Sequence, residues 1–109
     1  MTTVSFFSED GRLTGFEVKG HSGLAEAGQD VLCAAVTSVV RLTECAVNDV
    51  LGLCAAVKVR EKDASISLRL PGGLDESAEE VCQTLLAAMM VYFVQLHDEY
   101  PNYIMVMEV

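Results

Sequence analysis

The stretch from Gly20 to Thr37, GHSGLAEAGQDVLCAAVT, constrains this chain most, because it joins a strand to a helix through small residues. Gly20 and His21 end a strand-like run, and glycine supplies the positive-φ conformations that other residues resist. Asp30, a favoured N-cap residue, directly precedes the helical pattern VLCAAV. With Asp30 as N-cap, Cys33 is the third helical residue, where the helix dipole biases a thiol toward thiolate.

Residue types alone leave two roles open. Cys33 fits a nucleophile that attacks a peptide carbonyl, with His21 as its base and backbone N–H groups at the helix start, including that of Cys33, as an oxyanion hole. It also fits a small buried thiol in a core rich in Ala and Cys. Asp30 either only caps the helix or also orients His21 as the third member of a triad.

The motif of a Gly-His pair, a short loop, Gly-x-Asp, two aliphatic residues and Cys-Ala resembles the signature of the Prp family of ribosomal-processing cysteine proteases. The resemblance extends over residues 1–109, as a single domain. It implies a dimeric enzyme that removes the N-terminal extension of the ribosomal protein L27 precursor. It also implies that His21 and Cys33 are catalytic and that Gly20 and Asp30 support them.

Two positions depart from the family pattern. The residue after the histidine is usually Ala and is Ser22 here, and the hydroxyl one helical turn after the nucleophile is usually Ser and is Thr37 here. Neither change removes a catalytic group. Thr37 is therefore kept as a supporting position whose hydroxyl either packs or has a polar role.

Net charge and local composition limit the classes of partner that this protein is expected to bind. The 109 residues carry a net charge of −9, which argues against unassisted nucleic-acid binding and favours a basic partner such as a ribosomal-protein tail. The N-terminus lacks the pattern of a signal peptide, and the longest apolar run, Leu85 to Val94, is too short to span a bilayer. We expect a cytoplasmic protein without membrane association. Cysteine spacing indicates neither a zinc site nor a disulfide framework, and no cofactor is expected.

Apolar periodicity predicts the order strand, strand, helix, strand, strand, helix, strand. The predicted strands are Thr2 to Ser8, Arg12 to Lys19, Cys54 to Lys62, Ala64 to Leu70 and Asn102 to Val109. The helices should run from about Val31 to Leu51, ended by Gly52, and from about Asp75 to Glu99, ended by Pro101. We predict an α+β two-layer sandwich, with a mixed sheet of about five strands and both helices on one face.

The two helices differ in their apolar patterns. Spacing at about 100° per residue predicts one buried stripe on the first helix, comprising Leu32, Val36, Val39, Thr43, Ala46 and Val50. Cys33 falls near the edge of a second set that comprises Thr37, Arg41, Glu44 and Asn48, so it is not centred on the buried stripe. In the second helix, the run from Leu85 to Val94 is apolar all round and needs a further cover, which favours a homodimer.

Two other classes of function fit the same sequence. A redox-reactive thiol protein is the less favoured, because no resolving cysteine lies near Cys33 in the sequence. A non-catalytic dimeric module could bind a basic ribosomal protein through its acidic surface, in a complex that weakens with salt. Such a module would not process its partner and would be indifferent to Cys33→Ser. Cleavage of a precursor separates it from the protease.

Overall fold

The elements follow one another in the predicted order, ββαββαβ, in a computed structural model that describes residues 1–20 and 27–109, with only the backbone of residues 27–30. The strands are β1 (Thr2–Glu9), β2 (Arg12–Lys19), β3 (Ala56–Arg60), β4 (Ser65–Arg69) and β5 (Ile104–Glu108). The helices are α1 (Ala27–Glu44), which a π-helical segment (Cys45–Val50) continues, and α2 (Glu76–Glu99).

The five strands form one mixed sheet in the order β3-β4-β2-β1-β5. The β1–β5 pair is parallel, and the other three pairs are antiparallel. Asp10 and Gly11 join β1 to β2 with φ values of 52° and 78°, the backbone twist that suits a two-residue hairpin. The predicted mixed sheet is confirmed, including the bounds of β2.

The core lies between one face of the sheet and both helices. Phe6 of β1 packs against Phe16 of β2 and Phe93 of α2, with ring centroids 6.2 and 6.4 Å apart. Leu32 of α1 and Leu86 of α2 are fully buried in the same cluster. The predicted α+β arrangement is therefore confirmed. The opposite face of the sheet, here called the open face, carries Glu17, Lys58 and Arg69 among other polar residues.

Helix α1 differs from the prediction at both ends. It begins at Ala27 rather than at about Val31, because Ala27 and Gln29 are compatible with helix and Asp30 is tolerated in a first turn. At the other end, the π-helical segment precedes Leu51 and Gly52, whose φ of 67° ends the helix as predicted.

The π-helical segment also changes which residues are buried. The buried stripe comprises Leu32, Val36, Val40, Thr43 and Val47. Val50, predicted to lie on this stripe, is 76% exposed. A π-turn, closed by i→i+5 hydrogen bonds, contains more residues than an α-turn, so positions beyond it rotate away from the face that a 3.6-residue period assigns them.

One stretch of helix, Val31–Val50, is long and apolar enough to cross a membrane by length and composition alone. The core helix of a globular protein meets the same criteria. Here Leu32, Val36 and Val47 on one side of the stretch are buried in the core, whereas Val31, Leu42 and Val50 are exposed.

Helix α2 has the predicted ends. Asp75 is its N-cap, with a side-chain oxygen that accepts a 2.7 Å hydrogen bond from the backbone N–H of Ala78. Tyr100, which precedes Pro101, is its C-cap. On the side away from the core, Val91 is 55% exposed, and Val81, Tyr92 and Val94 are also exposed. The apolar run therefore leaves surface that the described residues do not cover.

Candidate active site

Gly20 is placed by the end of β2 and by two other segments of the chain. Its backbone N–H donates a 3.1 Å hydrogen bond to the carbonyl of Ala64, just before β4. Its φ is 83°, and a Cβ at this position would lie 2.7 Å from the carbonyl oxygen of Met1. Glycine is thus required twice, by backbone conformation and by the close approach of the N-terminal strand. The position of Gly20 at the end of the sheet is therefore fixed by contacts with the N-terminal residue and with the segment before β4.

Cys33 is the seventh residue of α1, about 9 Å along the axis from the helix start. Its side chain is half-buried, next in sequence to the fully buried Leu32. This position at the edge of the buried stripe agrees with the prediction that Cys33 is not a central core residue.

The earlier helix start corrects two expectations. Asp30 is the fourth residue of α1 and not its N-cap. Cys33 lies beyond the four N-terminal residues whose N–H groups have no intrahelical partner, so its own N–H is committed to the helix rather than to an oxyanion hole. The dipole effect also falls off within the first turn, so it acts on Asp30 more strongly than on Cys33.

The three other predicted site residues are His21, Asp30 and Thr37. His21 lies outside the described residues, and so does the side chain of Asp30. Thr37, one turn after Cys33, is exposed, and its hydroxyl makes no hydrogen bond to the described residues. The described part of the structure thus fixes Gly20 and Cys33 and leaves the predicted contact of Cys33 with His21 as a prediction.

The remaining cysteines have different surroundings from Cys33. Cys82 of α2 is completely buried, and burial, reinforced by the neighbouring Glu79 carboxylate and opposed by Arg12, raises the pKa of its thiol. Cys45 and Cys54 are exposed. Partial burial therefore distinguishes Cys33 from the other three cysteines. A nucleophile must be accessible to substrate and must also be held in position by neighbouring residues.

Ala64 is the contributor to this region that sequence reasoning missed. It adopts a φ of 48°, accepts the hydrogen bond from Gly20 and donates one of 3.1 Å to the carbonyl of Glu61. No sequence signal marks it, because alanine rarely adopts positive φ. Among residues with described side chains, no group of three His, Cys, Asp or Glu is placed to hold a metal ion.

Comparisons with known proteins agree on one family. Residues 1–105 match the family model described as cysteine protease Prp. The chain is 32% identical over 95 residues to the ribosomal processing cysteine protease Prp of Bacillus subtilis (strain 168), covering 87% of this chain and 85% of that protein.

Solved structures share the fold. SMU.848 from Streptococcus mutans superimposes with a TM-score of 0.86 at 24% identity, covering 100% of this chain and 94% of that one. The ribosomal processing protease Prp from S. aureus, in complex with a covalently linked product peptide, gives 0.83 at 22% identity with full coverage of both chains. From the family model and the B. subtilis relative, the chain belongs to the Prp family of cysteine proteases.

Proposed function

We propose that this cysteine protease removes the N-terminal extension of the ribosomal protein L27 precursor, with Cys33 as nucleophile and His21 as base. The observation that carries the proposal is the placement of Cys33, half-buried on α1, while Cys82 is sealed in the core. The motif around Gly20 and Cys33 supports the same assignment. The name of the B. subtilis relative supports a ribosomal-protein substrate.

The proposed reaction proceeds in two halves. His21 takes the proton of the Cys33 thiol, and the thiolate sulfur attacks the scissile carbonyl carbon to form a tetrahedral oxyanion. The oxyanion collapses, the peptide C–N bond breaks, and His21 gives its proton to the departing amine. Water, deprotonated by His21, then hydrolyses the thioester and restores the thiol. Gly20, which directly precedes His21 in the sequence, contributes through its own fixed position at the end of the sheet.

Asp30 and Thr37 are proposed as supporting residues with different tasks. A carboxylate in the first turn of α1 stabilises the helix through its dipole, and a contact with His21 would also orient the imidazole. The hydroxyl of Thr37, exposed one turn beyond Cys33, is available to a bound peptide rather than to the core.

Cleavage of a purified L27 precursor tests the mechanism. We expect Cys33→Ala and His21→Ala to lower the cleavage rate by about 10³-fold or more, since each removes a member of one catalytic unit. Cys45→Ala is the matched control, because it removes an exposed thiol from the same helical stretch. Mass spectrometry of the products identifies the cleaved bond. Unimpaired cleavage by either catalytic variant would exclude this mechanism.

We further propose that the protein acts as a cytoplasmic homodimer. The exposed apolar side of α2 supports the dimer, since it forms a shallow groove of about 530 Å³ lined by Thr84, Ala87, Ala88, Val91, Tyr92 and Gln95. Sedimentation of the wild type should give a dimer and Val91→Lys a monomer, whereas Thr37→Lys should leave the dimer intact. A wild-type monomer at micromolar concentration would refute this part of the proposal.

A further inference from the structure

Strand β3 forms one edge of the sheet. Within the described part of the chain it pairs only with β4, so the backbone groups along its other side have no strand to pair with. An unpaired edge is a template on which an extended segment can add as a further strand. The question is which segment this edge would accept.

The two faces of β3 carry different chemistry. Lys58 and Arg60 project to the open face, and their cross-strand partners are Ser67 and Ser65. Val57 and Val59 project to the other face, where Val59 is 66% exposed. Successive residues of a strand alternate between faces, with about 6.8 Å between residues two apart. A strand added beside β3 would therefore meet cations on one face and aliphatic side chains on the other.

The cationic side extends into a groove. A depression of about 310 Å³ on the open face is lined by Phe7, Glu17, Lys58, Arg60, Ser67 and Arg69, among others. Arg69 lies opposite Ala56 in the β3–β4 register, so three cations follow the edge. None of the three makes an ion pair or side-chain hydrogen bond with another described residue. In a chain with sixteen acidic and seven basic residues, these cations have only Glu17 among them in the groove.

Two other occupants fit this edge less well. A second copy of β3 would set Lys and Arg side chains against one another, and like charges directly opposite destabilise a strand pair. A long RNA strand would carry phosphates beyond the three cations and over a protein of net charge −9, which repels them. A short acidic segment places its few charges only over the patch.

We propose that the outer edge of β3 docks an extended segment of a partner protein, with acidic residues alternating with aliphatic ones, as a sixth strand of the sheet. Carboxylates on one face of that strand pair with Lys58, Arg60 and Arg69. Its aliphatic residues cover Val59 and the edge of Val57. The interaction is separate from peptide cleavage and does not depend on Cys33.

A fluorescent peptide with the repeat Glu-Val-Glu-Val-Glu-Val-Glu tests the proposal by anisotropy on the full chain. We expect binding that weakens as salt rises, and slower amide exchange at β3 in the complex. The same peptide N-methylated at alternate backbone nitrogens should not bind, because it cannot complete the strand ladder. Equal binding of the methylated peptide would refute strand addition without altering the protein.

Charge reversal tests the recognition. Lys58→Glu with Arg60→Glu should lower affinity for the acidic peptide at least about tenfold and create binding to Lys-Val-Lys-Val-Lys-Val-Lys. Arg41→Glu with Ser38→Glu and Asn102→Asp is the matched control, since these exposed side chains lie on α1 or just before β5 at the opposite edge of the sheet, and the net charge changes equally. Its affinity should stay within about twofold of the wild type. No wild-type binding to the acidic peptide, or binding only to polyuridylate, would overturn the proposal.

Discussion

The two ends of β2 are held in different ways. At its start, three side chains tie the strand to neighbouring elements: Arg12 bonds Glu79 at 2.5 Å, and Gln83 bonds both backbone groups of Leu13 at 2.7 and 2.8 Å. At its end, Lys19 pairs with β1 and β4, and the backbone N–H of Gly20 donates to the carbonyl of Ala64, so only backbone contacts hold this end.

This difference separates stability from function. Gln83 acts as a surrogate strand partner, because its amide satisfies a donor and an acceptor of the backbone at once. The Arg12–Glu79 pair raises the pKa of the guanidinium and keeps it charged. Side-chain contacts therefore reinforce β2 at the end away from Gly20. We assign the other end, at Gly20, to function, because the proposed base His21 follows it in the sequence.

The largest expected effect on stability is at the start of β2, here called the anchored end because Glu79 and Gln83 hold it. Gln83→Leu leaves the N–H and C=O of Leu13 without their partner, so we expect a loss of about 3 kcal/mol in the free energy of unfolding. Gln95→Leu makes the same chemical change at an exposed position of α2 and should cost less than about 0.5 kcal/mol. Urea denaturation measures both. Equal stability of the two variants would show that the hydrogen bonds between Gln83 and Leu13 do not stabilise the fold.

A smaller effect is expected at the other end, from Gly20→Ala. Positive φ and the approach to the Met1 carbonyl should together cost about 2 kcal/mol. Gly11→Ala has a similar φ of 78° but nothing within 4 Å, so it should cost about 1 kcal/mol. The difference isolates the contact with Met1. Precursor cleavage should fall in the Gly20 variant and persist in the Gly11 variant; loss of activity in both would break the proposed separation.

Sequence reasoning succeeded where the determinants are local. The bounds of β2 follow from alternation and from the Asp10-Gly11 turn, and the start of α2 near Asp75 follows from its acidic first turns. Both depend on residues within a few positions of each other. The predicted placement of Cys33 away from the centre of the buried stripe is confirmed despite the four-residue error in the helix start. The angular position of one residue relative to another around a helix depends on their spacing and not on where the helix begins.

It failed where distant residues decide. Nothing near Gln83 in the sequence points to Leu13, seventy positions away, and α2 carries several other polar residues that the sequence does not distinguish from it. The cations of β3 and β4 read as ordinary surface charges until the register sets Ala56 beside Arg69. The π-helical segment also lacks a local signal, and it rotates Val50 away from its predicted face.

The smallest expected effect concerns Cys82, which lies at the anchored end beside Glu79. Burial raises the pKa of its thiol in the folded protein above the value of about 8.5 in the unfolded chain. Below that pH both states hold the proton and the stability is fully present. As pH rises further, the unfolded state loses its proton first, so stability falls by up to about 1.4 kcal/mol per pH unit until the folded pKa is reached.

Cys82→Val removes this titration while nearly keeping the volume of the side chain. Urea denaturation between pH 8 and pH 10 should therefore give a shallower decline for the variant than for the wild type. Cys45→Val, at an exposed thiol, should decline as steeply as the wild type. If Cys82→Val also matched the wild-type slope, the interior beside Arg12 and Glu79 would be hydrated enough to hold a thiolate. The contrast between a buried thiol at the anchored end and an accessible thiol at Cys33 would then be wrong.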